Sequence, residues 1–265
     1  MKNSLLWKIE TDNRHQSFLF GTIHIYDSQV FKIPDILYKL IDSVDIYLPE
    51  TDNRQISFAE MLNYITVDAP DYSLKDYFTD ENYAKILELV KTDAIILNKY
   101  KPFFVSSLIL SNAGMPTGSI DHELLNYALY KGKTVCELES VEEQIKAINN
   151  IPYKEQAEIV ENILLSSDRK GEFHKLMNNY KEQNLQALKT NLKEVNPAEI
   201  FIDSIQKNRN IIMSDRIDSL LRKEHSLFVA VGAMHLPDMD DVKGIVSILG
   251  DKGYSVTDIE FSFTY

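Results

Sequence analysis

Gln16-Ser17-Phe18-Leu19-Phe20-Gly21-Thr22-Ile23-His24 is the stretch from which the rest of the chain can be read. Phe18, Leu19 and Phe20 are apolar without alternation, the pattern of a strand covered on both faces. Leu5-Leu6-Trp7-Lys8-Ile9-Glu10 ahead of it reads as a second strand, and the polar Thr11-Asp12-Asn13-Arg14 between them predicts a hairpin turn. Beyond His24, Pro34 opens a helix carrying Ile36, Leu37, Leu40, Ile41 and Val44 at helical spacing. The chain returns through Val44-Asp45-Ile46-Tyr47-Leu48 to Pro49-Glu50. A right-handed crossover then sets the strands on either side of that helix parallel.

The other end of the chain repeats the pattern. Ser226-Leu227-Phe228-Val229-Ala230-Val231 is an apolar run followed by Gly232-Ala233-Met234-His235, a helix expected over 238–249, and a strand from Tyr254 to Glu260. Gly21 and Glu50 are 29 positions apart, and Gly232 and Glu260 are 28. This repetition predicts an α/β fold: a mixed, largely parallel central sheet made from two related halves and flanked by helices. Glu260 by itself carries little weight in so acidic a chain. Between the ends the pattern is mainly helical: a helix over 80–100, an apolar run at 103–110, a break at 113–118 and a helix over 119–130. Gly132-Lys133 then turns into a strand, Thr134-Val135-Cys136-Glu137-Leu138, which ends at Glu139. Amphipathic helices fill 142–193, and Asn196-Pro197 restarts a helix running to about 223. With no low-complexity tract or flexible linker, the economical reading is one domain over 1–265, with mainly helical segments at about 56–130 and 142–200.

The composition narrows the class of function. Of 265 residues 28 are basic and 40 acidic, for a net charge of −12, which argues against nucleic acid as a partner. A single cysteine, Cys136, excludes an intrachain disulfide framework and a cysteine-based zinc site; inside a predicted strand it reads as a small core residue. No run approaches the roughly 20 apolar residues of a membrane span. The amino terminus is too short in its apolar part for a signal peptide, and a chain with its leader removed would read the same, so the compartment is left open. No Gly-x-Ser-x-Gly, P-loop, Gly-x-Gly-x-x-Gly or His-Glu-x-x-His motif occurs.

His24 and His235 each stand three positions after a glycine, Gly21 and Gly232, that closes an apolar strand. Ligands of open α/β sheets bind outside the carboxyl ends of the strands. If both strands share one parallel sheet, the two imidazoles meet on one rim, with Glu50 and Glu139 also ending strands there. Two neutral imidazoles and one or two carboxylates suit Zn²⁺, Mn²⁺ or Co²⁺, and a water in an open coordination position would have a pKa lowered to roughly 7. One such histidine is more often structural than functional, but the same pattern at both ends favours function. His15, His122, His174 and His225 lack the spacing. Arg209 falls on the stripe of Ile205, Ile212, Met213, Leu220 and Leu221, so it needs a partner. It either pairs with a sheet-end glutamate or stabilises charge on a substrate. Ser119, Asp121 and Glu123 read as a helix start.

Taken in order, Phe20-Gly21-Thr22-Ile23-His24, Leu48-Pro49-Glu50, Gly132-Lys133-Thr134-Val135, Leu138-Glu139-Ser140, Glu143-Gln144, Arg209-Asn210-x-x-Met213 and Val231-Gly232-Ala233-Met234-His235 resemble the TraB/GumN family. That family includes the TIKI Wnt-inactivating proteases and the pheromone-shutdown protein TraB. The resemblance runs from about Leu5 to Val256. It implies an α/β fold related to the erythromycin-esterase and ChaN-like proteins, and metal-dependent peptidase activity in at least the TIKI branch. Matched motif by motif, it makes His24 and His235 the paired histidines, Glu50 the acid after the second strand, and Glu139 and Arg209 further polar residues of the pocket. Glu137 departs from the pattern, standing where the family usually has a small residue.

The leading expectation is therefore an enzyme, a metal-dependent hydrolase and most simply a peptidase acting on a peptide or protein. His24, His235 and Glu50 hold or flank the metal, Glu139 serves as general base or orienting acid, and Arg209 stabilises developing negative charge. A competing class is a protein that sequesters a peptide or small ligand in the same pocket without turnover. An esterase follows from fold kinship alone.

Overall fold

A computed structural model describes residues 3–11, 16–54, 56–113, 116, 118–195 and 199–264. The first strands, β1 (Leu6–Glu10) and β2 (Gln16–Thr22), pair antiparallel, with Leu6 opposite Phe20 and Glu10 opposite Gln16. The expected turn residues Asp12, Asn13 and Arg14, with His15, lie outside the described residues. Next come α1 (Asp35–Asp42), β3 (Ile46–Pro49), α2 (Phe58–Ile65), α3 (Asp80–Val90), α4 (Ala94–Leu97), α5 (Pro102–Asn112), α6 (Ile120–Tyr130) and β4 (Thr134–Val135). After α7 (Val141–Asn149), α8 (Tyr153–Leu165), α9 (Arg169–Lys181), α10 (Leu185–Val195) and α11 (Glu199–Ile202), a π-helical turn (Asp203–Lys207) leads into α12 (Asn208–Leu221). The chain ends with β5 (Leu227–Gly232), α13 (Ile245–Asp251) and β6 (Ser255–Asp258).

The sheet order is β4-β3-β5-β2-β1-β6. β5 lies between β2 and β3 and runs parallel to both, and β4 is parallel to β3. β1 is antiparallel to both of its neighbours, which makes the sheet mixed but mostly parallel, as the sequence pattern predicts. Leu227 to Val231 of β5 are all buried, consistent with a central strand covered on both faces. The Tyr47 ring stacks on Phe228 of the adjacent strand, 5.9 Å away at 10°. The main core extends from the sheet into α1, α6, α9, α12 and α13. A separate cluster built from Leu74, Tyr83, Ile86, Val90, Val105, Ile109 and Val160 supports the helical segment.

Local chemistry moved several boundaries from where the periodicity puts them. The helix expected over 80–100 is two helices, because Lys91 takes a left-handed φ of 55° and the Asp93 side chain caps α4. The apolar run at 103–110 belongs to α5, opened by Pro102. The helix expected from 238 begins only at Ile245. The Asp238 carboxylate accepts the Gly244 N–H (2.8 Å) and the Ser247 hydroxyl (3.0 Å), capping the helix from outside. The strand expected at 134–138 is regular only at Thr134–Val135, which leaves Cys136 beyond it and half-buried. The backbone nonetheless follows β3: Cys136, Leu138 and Glu139 donate N–H groups to the carbonyls of Tyr47, Pro49 and Glu50 at 2.9–3.1 Å. The helix restart at Asn196-Pro197 falls on residues outside those described.

Candidate functional site

Register decides what meets at the rim. Thr22 is opposite Gly232 across β2 and β5, and Ala230 is opposite Pro49 across β5 and β3. The segments carrying His24, His235 and Glu50 therefore leave three neighbouring parallel strands at one edge. Close approach accounts for Gly21: a Cβ there would stand 2.9 Å from the Ala233 backbone and 2.7 Å from Leu236. Gly232 differs. A Cβ there would lie 3.4 Å from Glu50 Oε2, 3.5 Å from the His235 ring and 3.8 Å from His24 Nε2. The absent side chain thus leaves a cradle bordered by both imidazoles and one carboxylate.

Each histidine is oriented through its Nδ1. The His24 Nδ1–H donates to Asp121 Oδ2 (3.1 Å), and Asp121 also accepts the hydroxyls of Thr22 and Ser119. The His235 Nδ1–H donates to Asn210 Oδ1 (2.6 Å), while the Asn210 amide donates to the Lys243 carbonyl, which fixes its orientation. At His235 this bond leaves Nε2 as an acceptor, whereas the His24 ring, protonated at neutral pH, must release its Nε2 proton before that nitrogen can accept. A ring N–H engaged in this way is the usual support for a metal-ligating histidine. The two rings differ in charge. The Asp121 carboxylate raises His24 to about 9, outweighing desolvation, whereas burial lowers His235 to about 4. In metal-free protein the His24 ring should titrate near 9 by NMR and move toward the ordinary 6.5 in Asp121→Asn. A midpoint unchanged by that substitution would dissociate Asp121 from His24.

Beneath the histidines is a buried ionic cluster. Arg209 Nη2 meets Glu50 Oε1 (2.5 Å), its Nε donates to Glu139 Oε2 (2.8 Å), and its Nη1 donates to the Ile205 carbonyl (2.9 Å). Glu50 Oε1 also accepts the Gln144 amide (2.9 Å), and Oε2 the Gly232 N–H (2.8 Å). Burial pushes the Glu50 carboxyl up, but the charges of His235, Arg209 and His24 and the Gly232 N–H bring it well below the usual carboxylate range. Glu139, 1% exposed, goes the other way, raised because burial outweighs its bonds to Arg209. The helix stripe carrying Arg209 is more polar than the sequence predicts: Gln206, Asn210, Met213, Ser214 and Ile217 are buried with it, while Ile212 is exposed. Glu137 is exposed and accepts the Asp52 N–H, away from this cluster.

All five residues singled out in the sequence (His24, Glu50, Glu139, Arg209 and His235) thus border one small region. In the sequence Asp121 reads only as part of a helix start, and Thr22, Gln144 and Asn210 stand in the motifs without a role assigned to any of them. Ser119 in fact makes no side-chain cap to α6, because its hydroxyl goes to Asp121. Asn210 had one signal, its place beside Arg209 on the same helix face. Among the described residues no three His, Cys, Asp or Glu side chains are already grouped as a metal site. Glu50 Oε2 makes one hydrogen bond and so keeps a lone pair; with the His235 Nε2 and, once it has released its proton, the His24 Nε2, the donor chemistry fits a divalent cation.

No helix among the described residues is long and apolar enough to cross a membrane. No curated protein matches the chain. The sequence profile of the TraB/PrgY/gumN family, by contrast, matches residues 5–258, taking in both strand–glycine–histidine motifs, Glu50, Glu139 and Arg209. The chain belongs to the TraB/PrgY/gumN family.

Proposed function

We infer that the protein is a metal-dependent hydrolase acting on a peptide or protein substrate. The observation carrying this reading is the Gly232 cradle, bordered by His24 Nε2, the His235 ring and Glu50 Oε2. His24 Nε2, His235 Nε2 and Glu50 Oε2 would hold a divalent ion such as Mn²⁺, Co²⁺ or Zn²⁺. An ion of this kind supplies Lewis-acid polarisation of a carbonyl and eases proton loss from water. Asp121 and Asn210 keep the two imidazoles turned toward the cradle. Arg209 has Nε, Nη1 and Nη2 all engaged, so its part is to fix Glu50 and Glu139 rather than to reach a substrate. Glu139 holds Arg209 from below through the Nε bond, and burial raises its carboxyl above the usual carboxylate range.

The experiment is metal analysis of the purified protein, combined with cleavage of a peptide library before and after chelation. Cleavage that chelator abolishes and added metal restores is expected. Chelator-insensitive cleavage would overturn the metal reading. Intact peptides recovered from the metal-loaded protein after long incubation would favour sequestration over hydrolysis.

A further inference from the structure

Antiparallel strands exchange both N–H···O bonds at every second residue pair. Leu5 and Gly21 are such a pair at the rim end of β1 and β2, yet only half of the exchange is made there: the Gly21 N–H donates to the Leu5 carbonyl (2.8 Å). Side chains from the end of α9 take the other half. The Leu5 N–H donates to Gln183 Oε1 (3.1 Å), and the Gly21 carbonyl accepts the Tyr180 hydroxyl (2.6 Å). Tyr180 is fully buried, with its ring against Phe31 (5.9 Å, 26°) and Phe263 (5.4 Å). Gln183 follows α9 with a left-handed φ of 56°, a usual way to stop a helix, and its amide donates to the Phe261 carbonyl (2.8 Å). The segment 261–263 thereby straps the corner between α9 and α10 onto the sheet.

That corner grips the junction of the two histidine motifs. Gly21 precedes His24 by three residues and lies against Ala233 and Leu236 of the second motif. α10, leaving the same corner, packs against the turn Ala233–His235. Ligands on two separate segments share one ion only where their spacing holds to about 0.2 Å. We propose that Tyr180 is a positioning residue for the two-histidine cradle: by holding the Gly21 carbonyl it seats the His24 segment against the Ala233–His235 turn. Gln183 and the 261–263 strap keep the corner in place, and Tyr180 acts through the Gly21–Ala233 contact rather than on an ion itself. The assignment rests on the reading of the cradle as a metal site, and it gives the helical insertion a part in that site.

The test compares Tyr180→Phe, which keeps the ring and removes the hydroxyl, with Tyr83→Phe, which removes a tyrosine hydroxyl bonded to Asn98 Oδ1 (2.8 Å) beside the separate helical cluster. The first readout is amide exchange in metal-free protein at Gly232, whose N–H donates to Glu50, and at Leu236, whose N–H donates to the Ala233 carbonyl. Tyr180→Phe should speed exchange at both sites about tenfold, the equivalent of one neutral hydrogen bond, and Tyr83→Phe at neither. Faster exchange confined to the β2 segment, or spread evenly over the chain, overturns the positioning role. If Tyr180→Phe does not fold, Gln183→Leu, which frees the Leu5 N–H, serves in the same comparison. The second readout is Zn²⁺ affinity by calorimetry, expected to be about fivefold weaker in Tyr180→Phe and unchanged in Tyr83→Phe. Zn²⁺ bound equally by wild type and Tyr180→Phe overturns the proposal. A wild type that binds no Zn²⁺ but shows the exchange coupling keeps the positioning role and removes the metal reading alone.

Discussion

Arg209→Ala should destabilise the protein by about 3–5 kcal/mol, because it strands two buried carboxylates. For a chain of this size that corresponds to a fall in Tm of about 6–20 °C. Glu50 would keep the Gly232 N–H and the Gln144 amide, but Glu139 would lose its side-chain partner among the described residues. The pH dependence has a definite sign. The folded pKa of Glu50 is depressed, so its contribution to wild-type stability is present above the unfolded value of 4.5 and is lost as pH falls through the folded value. Without the arginine the carboxyls hold protons more readily, so the gap between variant and wild type should narrow from pH 7 toward pH 4. Arg209→Lys should fall between the two, since one ammonium cannot reproduce a fork that spans both acids. The triple variant Arg209→Met with Glu50→Gln and Glu139→Gln should regain most of the stability. Urea denaturation at several pH values checks the series. An Arg209→Ala protein within 0.5 kcal/mol of wild type would contradict the buried clamp.

Replacing the two histidines should affect the fold unequally and, on the proposed metal-dependent hydrolysis, sharply reduce activity. His24→Ala deletes the cation paired with Asp121 and should lower stability at pH 7, less so as pH rises past about 9, while His235→Ala strands the buried Asn210 carbonyl at about 1–3 kcal/mol. Both lose a donor at the Gly232 cradle. Lewis-acid stabilisation of several kcal/mol translates into a loss of about 10²–10³-fold in kcat/KM for either single variant. On the proposal that both act through one ion, the double variant should be little worse than the worse single one. Calorimetric metal titration alongside cleavage rates provides the measurement. Multiplicative losses would mean that the two rings act independently, and full activity in the double variant would remove the metal site altogether.

Strands and rim residues were legible because their signals are local. Phe18 to Phe20 and Leu227 to Val231 announce buried parallel strands by composition alone, and a glycine three residues before each histidine marks the rim. The order in which the strands assemble is not local. Nothing in the segment Leu227–Gly232 says that it inserts between β2 and β3, yet that insertion sets the histidines against Glu50. The supporting residues were hidden for the same reason. Asp121 is 97 positions from His24, and an acid in a first helical turn has a sufficient local explanation in the helix dipole. The late start of α13 was hidden differently, since Asp238 resembles a first-turn acid but caps the helix from seven residues before it. The polarity of the Arg209 stripe went unread because Gln206, Asn210 and Ser214 carry no local signal of burial, while Ile212, three residues past Arg209 in α12, lies on its exposed margin.

Anomalous diffraction from crystals grown in turn with Mn²⁺, Co²⁺ and Zn²⁺ bears most directly on the site. A peak beside Gly232, about 2.0–2.2 Å from both His24 Nε2 and His235 Nε2 and in contact with Glu50, is the expected result. Well-ordered crystals in which no metal collects between those two rings, or in which it settles elsewhere while peptide cleavage persists, would contradict it.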